Sequence, residues 1–322
     1  MIDQVAGTNE RFQAVSAVSR DTVWISGTGG TFARTVDGGA SWQVGVVPGA
    51  EALEFRDVDA ISGRVAYLLS AGPGDQSRIY RTVDGGDTWS RQFTNQNDDA
   101  FFDCLAFWDG KRGLAVSDAV QGSFIVLRTG DGQTWRALPS ARLPQARAGE
   151  GMFAASGTCV ATRGADHAWF GTGAGMTARV ARTTDGGETW SVSDTPIVQN
   201  TPSAGITSVV FLDERRGMVL GGDVATGDGV TQNAAFTTDG GRTWTAAAHP
   251  GFTGAVFGGA WVTGTEATVV AVGPRGASWT GDLGRTWHTF DFRNYWSVGF
   301  ASDGTGWMVG PAGRITKVTF AP

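Results

Sequence analysis

Apolar and polar residues alternate along this chain in short runs, and nearly every run is bounded by Gly, Pro, Asp or Ser. In one stretch FRDVDAIS (55–62), VAYLLSA (65–71), SRIYRTVD (77–84) and TWSRQF (88–93) follow one another in this way. Alternation with a period of two marks a half-buried β-strand, and no segment sustains a helical apolar period with caps at its ends. The pattern predicts an all-β chain built from units of four short strands.

The turn between the third and fourth strand of a unit repeats almost letter for letter. TVDGGASW (35–42), TVDGGDTW (82–89), TTDGGETW (183–190) and TTDGGRTW (237–244) are near-identical, and TGDGQTW (129–135) and TGDLGRTW (280–287) are degenerate copies. Their aspartates, Asp37, Asp84, Asp131, Asp185, Asp239 and Asp282, are 47, 47, 54, 54 and 43 residues apart, a mean of 49. That is the period of propeller blades rather than of helical solenoids. The 322 residues hold about 6.6 such periods, and the last unit (YWSVGFAS, GWMVGPAG, GRITKVTF) has three strands and no box. Ile2 to Val5 can supply its fourth. The reading is one domain over 1–322, a seven-bladed β-propeller of four-stranded antiparallel blades at approximately 11–47, 53–94, 101–139, 152–195, 205–248, 254–292 and 295–320. Residues 1–6 close the ring as the outer strand of blade seven, which removes the open edge between the first and last blades.

Within a box the carboxylate accepts hydrogen bonds from its own turn, the glycines permit positive φ, and the Trp seals the turn against apolar neighbours. Six aspartates spread around a ring sit tens of Å apart, on the scale of the repeat stacking, so they cannot act on one substrate. The octapeptides resemble Asp-box, or BNR, repeats, found in sialidases and other propellers acting on glycans. The seven-blade count, with a Phe-containing inner strand before the box, resembles the photosystem II stability and assembly factor family and its bacterial relatives over Phe12 to Phe320. That resemblance implies a binding scaffold, exported in many bacterial members. The Arg-Ile-Pro motif of a sialidase is absent, since the Arg-Ile pairs here continue as Arg78-Ile79-Tyr80 and Arg314-Ile315-Thr316.

Composition narrows the partners. With 25 basic and 31 acidic side chains, net charge -6, the global field repels phosphate backbones, so nucleic acid is not expected. No window is apolar enough to insert in a membrane, and the start MIDQVAGTNERF reads as no leader. A periplasmic or secreted protein trimmed of its leader and a cytoplasmic one look alike here; a monomer is expected. Forty-nine glycines fit many tight turns.

Strand alternation puts the connections between blades and the turns between second and third strands on one face, and the boxes on the other. The unboxed face is the candidate binding surface: Arg11, Glu54, Arg56, Asp57, Phe102, Asp103, Glu150, Tyr295 and Trp296 at the blade junctions, with Asp75, Asp118, Asp223 and Arg275 on the turns. Convergence near the axis would make them one concave, charged pocket with aromatic walls. Two long connections, Pro139 to Phe153 and Gly221 to Asn233, flank it. The expected function is non-catalytic binding of a protein or other macromolecule. The competing reading is a glycan-active hydrolase drawing a carboxylate pair from Asp57, Asp103, Asp118, Glu150 and Asp223.

Other chemistry is thin. His167, His249 and His288 lack metal-ligand spacing, and Asp223 and Asp228 in a Gly-rich loop lack the EF-hand pattern. No metal and no cofactor is expected. Cys104 and Cys159 occupy similar places in the innermost strands of successive blades, as a disulfide or as two buried thiols.

Overall fold

The computed structural model describes residues 1–320. Seven antiparallel sheets, each of four strands, make up the chain. The innermost strands are Phe12–Ala17, Phe55–Ala60, Phe102–Phe107, Val160–Arg163, Ala204–Phe211, Gly258–Trp261 and Ser297–Phe300. Each touches the next, and the seventh touches the first, so the sheets stand as blades around one axis. Among the described residues the only helical pieces are single 3-10 turns at Gly74–Gln76 and Ser140–Arg142.

Burial explains the lettering of the strands. Second strands such as Val23–Gly27 and Ala66–Ser70 are buried along their whole length, because a neighbouring blade covers each face. Their sequences VWISG and AYLLS are accordingly continuous rather than alternating. Outer strands such as Ser90–Thr94 and Ser191–Asp194 are exposed or half-buried throughout and largely polar. The core is therefore a set of wedges between blades: Trp24, Phe32, Phe55 and Tyr80 fill one, while Trp169 and Phe211 stack at 3.6 Å between ring centroids in another.

The first strand, Ile2–Val5, pairs antiparallel with Arg314–Thr319 in the register Ile2 to Lys317 through Val5 to Arg314. Both chain ends thus share blade seven, as the sequence implies. Asp3 rivets the closure, accepting from the Thr316 hydroxyl at 2.8 Å and from the Arg293 guanidinium at 2.8 Å.

The five full-length boxes have the same wiring, while in the short one Asp131 Oδ1 takes the Gln133 and Thr134 N–H groups. In the second, Asp84 Oδ1 accepts from the Thr82 hydroxyl at 2.8 Å and the Thr88 N–H at 3.0 Å, and Oδ2 accepts from the Thr88 hydroxyl. Gly86, at φ 93°, passes so close to Phe32 of blade one that a Cβ there would strike the ring. Trp89 then packs edge-on to Trp24 and Phe32, so each such turn locks its blade to the one before. The Gly85 N–H donates to the Arg64 carbonyl, which puts box and first-to-second turn on one rim.

Candidate functional site

Four inner strands carry a bulge near their start, between Phe12 and Ala14, Phe55 and Asp57, Phe102 and Cys104, and Ile206 and Ser208. A bulge re-aims the extra residue, here Gln13, Arg56, Asp103 and Thr207, at the unboxed end of the axis. Blade four has no such strand start. Its segment from Phe153 to Thr158 leaves the blade and crosses the ring.

This crossing segment is held from many sides. The Ala154 carbonyl accepts from Arg56 at 3.2 Å in blade two, and the Ala155 carbonyl accepts from the Trp296 indole in blade seven. Ser297 donates to the Ser156 carbonyl at 3.0 Å, Ser156 donates to the Phe257 carbonyl at 2.8 Å, and the Thr158 hydroxyl reaches Ser208 at 2.9 Å. Gly157, at φ 73°, lies so near Asp57 and Ala14 that a side chain there would strike the Asp57 carboxylate. Cys159 follows at once and is disulfide-bonded to Cys104, with Cα atoms 6.0 Å apart. Residues 153–158 thus plug the unboxed mouth.

The plug overturns the expectation of one concave pocket there. Glu150 is buried in an ion pair with Arg179, whose Nε donates at 2.8 Å, and the Thr172 hydroxyl donates to the same carboxylate at 2.6 Å. It anchors the long connection before the plug. Asp118 accepts from the Met152 N–H at 2.5 Å and serves the same purpose. Tyr295 is fully buried, its hydroxyl donating to Asp291 at 2.9 Å, and burial pushes its pKa up to about 12. Asp223 folds its own turn through Ser203 at 2.6 Å and the Ala225 N–H at 3.0 Å. Arg275 pairs at 2.9 Å with Asp228 on the exposed loop between the second and third strands of blade five. Asp103 is enclosed with neither carboxylate oxygen well hydrogen-bonded, and burial, with the Asp118 charge adding, drives its pKa well up.

What does converge on this face is small. Glu54 accepts from Arg56 at 2.9 Å and lies 3.4 Å from Arg11, whose guanidinium sits 4.4 Å over the Trp296 ring. Phe257 meets the same ring edge-on at 5.1 Å. Three charges and two aromatic rings from blades one, two, six and seven therefore form a platform around the plug.

No protein-family model and no curated protein sequence matches the chain. Solved structures do. The fold is that of known seven-bladed propellers. YCF48 from Cyanidioschyzon merolae is 16% identical over 99% of this chain and 98% of its own, with a TM-score of 0.68. The structure of YCF48 bound to D1 peptide is likewise 16% identical, over 99% and 94% of the two chains, at 0.67. The WD40 propeller domain of Doa1 is 16% identical, over 99% and 97%, at 0.61. At these identities the likeness is one of fold.

Below the plug the axis opens the other way. A well of about 330 Å³ is lined by the later residues of the inner strands, toward the boxed face. Gly157 and Thr158 form its floor, Asp57 and Asp59 of blade two one wall, and Arg163 and Trp261 stand across it. Asp57 and Asp59 each bolt blade two to blade three, accepting the N–H of Leu105 at 2.6 Å and of Phe107 at 2.8 Å. Burial raises both acids, Asp59 to about 6. Arg163 donates to the Phe211 carbonyl at 2.7 Å and the Thr162 carbonyl at 2.8 Å, and burial lowers its pKa. The candidate list from sequence contained Asp57 but placed it on the opposite face, and it missed Asp59, Arg163 and Trp261. Alternating acids in Asp57-Val58-Asp59 on an inner strand were the available signal.

Proposed function

We propose that this propeller is a non-catalytic scaffold that binds a segment of another protein on the unboxed face. The observation carrying this reading is the plug. It turns the mouth of the axis into a continuous floor ringed by Arg11, Glu54, Arg56 and Trp296, a surface suited to a peptide rather than a cleft that closes on a reacting bond. A hydrolase would need two carboxylates facing each other across an open site. Here Glu150 is neutralised by Arg179, Asp103 is enclosed, and Asp57 lies beyond the plug. A propeller of the same fold carries a bound peptide, which fits this reading. The Cys104–Cys159 disulfide suits an oxidising compartment, so we place the protein outside the cytoplasm.

The test is selection of binders from a displayed peptide library on the full chain, followed by calorimetry on the selected peptide. Arg56→Ala should weaken it about tenfold, because a partly buried guanidinium makes bidentate contacts. Arg91→Ala, exposed on the outer strand of blade two and equal in charge change, should leave affinity unchanged. Equal losses would reduce the effect to general electrostatics, and a larger loss at Arg91 would move the site off this face.

A further inference from the structure

The well on the boxed side is independent of the platform and lies at the other end of the axis. Its walls are uneven. Asp57 is 2% exposed; its Oδ2 takes the Leu105 N–H, and its Oδ1 packs against Gly157 at the floor, in the space a side chain there would fill. Asp59 commits one oxygen to the Phe107 N–H and leaves the other free. Among the described residues no cation lies within ion-pair distance of either carboxylate, whereas Glu54, Asp166 and Glu188 each pair with an arginine of a neighbouring blade. Apart from Arg163 the remaining wall residues are uncharged, among them Leu105, Thr158, Thr162, Val209 and Thr263, so the two acids have no second cation to compensate them.

Across the well, Arg163 is pinned at the rim by the Phe211 and Thr162 carbonyls and lies 5.9 Å from the Trp261 ring. Its charge cannot swing in to neutralise the acids without losing both bonds. Trp261 keeps an indole N–H without a partner and shows that this ring already accepts a guanidinium at its face. A desolvated carboxylate pair beside an aromatic ring is the environment that attracts an ammonium or guanidinium group. A polar well with uncompensated charge and a closed floor admits a side chain, not a strand.

We propose that the boxed-side well is a second binding site, which takes one lysine or arginine side chain of a protein partner, its cationic head between Asp57 and Asp59 and its stem along Trp261. The closed floor sets the depth, so that a single residue enters while the rest of the partner stays on the boxed rim. The cation supplies the charge that the fold withholds from the acids.

The test titrates the full chain by calorimetry with the peptide Ac-Gly-Gly-Arg-Gly-Gly-NH2, its lysine counterpart, and the citrulline analogue that keeps shape without charge. The charged peptides should bind at least tenfold more tightly than the citrulline peptide. Asp59→Asn, which retains an acceptor for the Phe107 N–H, should remove that preference without lowering the melting temperature, and Asp57→Asn should do the same. Asp87→Asn, an exposed acid on the same rim with the same charge change, should leave it intact. Equal binding of arginine and citrulline peptides, no heat from either at millimolar concentration, or equal losses in Asp59→Asn and Asp87→Asn would each overturn the proposal. Neither the platform variant Arg56→Ala nor its control Arg91→Ala should move these affinities, so failure here is distinguishable from failure at the unboxed face.

Discussion

The boxed rim and the axis hold the same side chain, aspartate, in opposite surroundings. At the rim the carboxylates are exposed and their oxygens are filled by donors a few residues away; side-chain and backbone bonds from Thr88 hold Asp84 near pKa 2. Asp131 sits near 2 in the same way, even though its box is one residue short. At the axis burial dominates and the donors come from another blade, so Asp59 rises to about 6 and Asp57 and Asp103 go higher than an ordinary aspartate. A turn whose carboxylate is satisfied by its own residues can be copied six times. An axis residue depends on what six other blades present, so it occurs once.

The sharpest way to break this contrast is at Gly157. Substitution by Val places a side chain against the Asp57 carboxylate and Ala14 in a backbone of φ 73°. Left-handed backbone costs an ordinary residue about 1–2 kcal/mol, and overpacking a further ~1–3. We expect a loss of about 3 kcal/mol, read by urea denaturation, larger than from any single box. A variant as stable as the parent would mean that the plug yields and is not a packed element.

The second effect is the pH profile, in which rim and axis pull in opposite directions. The box aspartates, held near 2 in Asp84, Asp131, Asp185 and Asp239, contribute stability that is present above the unfolded value of about 3.9 and is lost as pH falls toward 2. The axis acids are raised, so their contribution is fully present below about 3.9 and is lost as pH rises through the value near 6 for Asp59. Melting temperature should therefore peak at about pH 4–5 and decline on both sides. Asp59→Asn should flatten the alkaline limb alone. A melting temperature that climbs steadily from pH 5 to 8 would show that the axis acids are not desolvated.

The same contrast explains what could be read from the letters. Blade number and ring closure were legible because the box is a local signal repeated six times, and because Ile2–Val5 stands before Phe12 as Gln43–Val46 stands before Phe55. Conversely, the plug is a single event. Its only trace is that Ala154-Ala155-Ser156-Gly157 stands where other units place a bulged inner strand such as Phe102-Asp103-Cys104-Leu105. Small residues at that point mark a chain squeezed between blades, but in isolation they look like an ordinary loop. Of the residues expected to share a pocket, Arg11, Arg56 and Trp296 lie together beside the plug, whereas Asp57 lines the well beyond it. Which of them still faced solvent depended on the plug and on burial partners such as Arg179, 29 residues from Glu150.

The smallest effect should come from the rim itself. In the fifth box Asp239 accepts from the Thr237 hydroxyl at 2.8 Å, the N–H groups of Arg242 at 2.9 Å and Thr243 at 3.0 Å, and the Thr243 hydroxyl at 2.7 Å. All these donors lie within the same turn, and most can turn to water when the carboxylate is removed, because the box is at the surface. Thr237, by contrast, is buried and also receives the Gly241 N–H at 2.9 Å, so it keeps the turn closed without the acid. Asp239→Ala should therefore lower the melting temperature by only about 2 °C, and Asp131→Ala in the short box should match it, since Gln133 and Thr134 N–H groups replace the missing donors. Differential scanning calorimetry on both variants tests the point. If either one fell as far as Gly157→Val, the box carboxylate itself would be holding the blades together rather than only its own turn, and the division between rim and axis would fail.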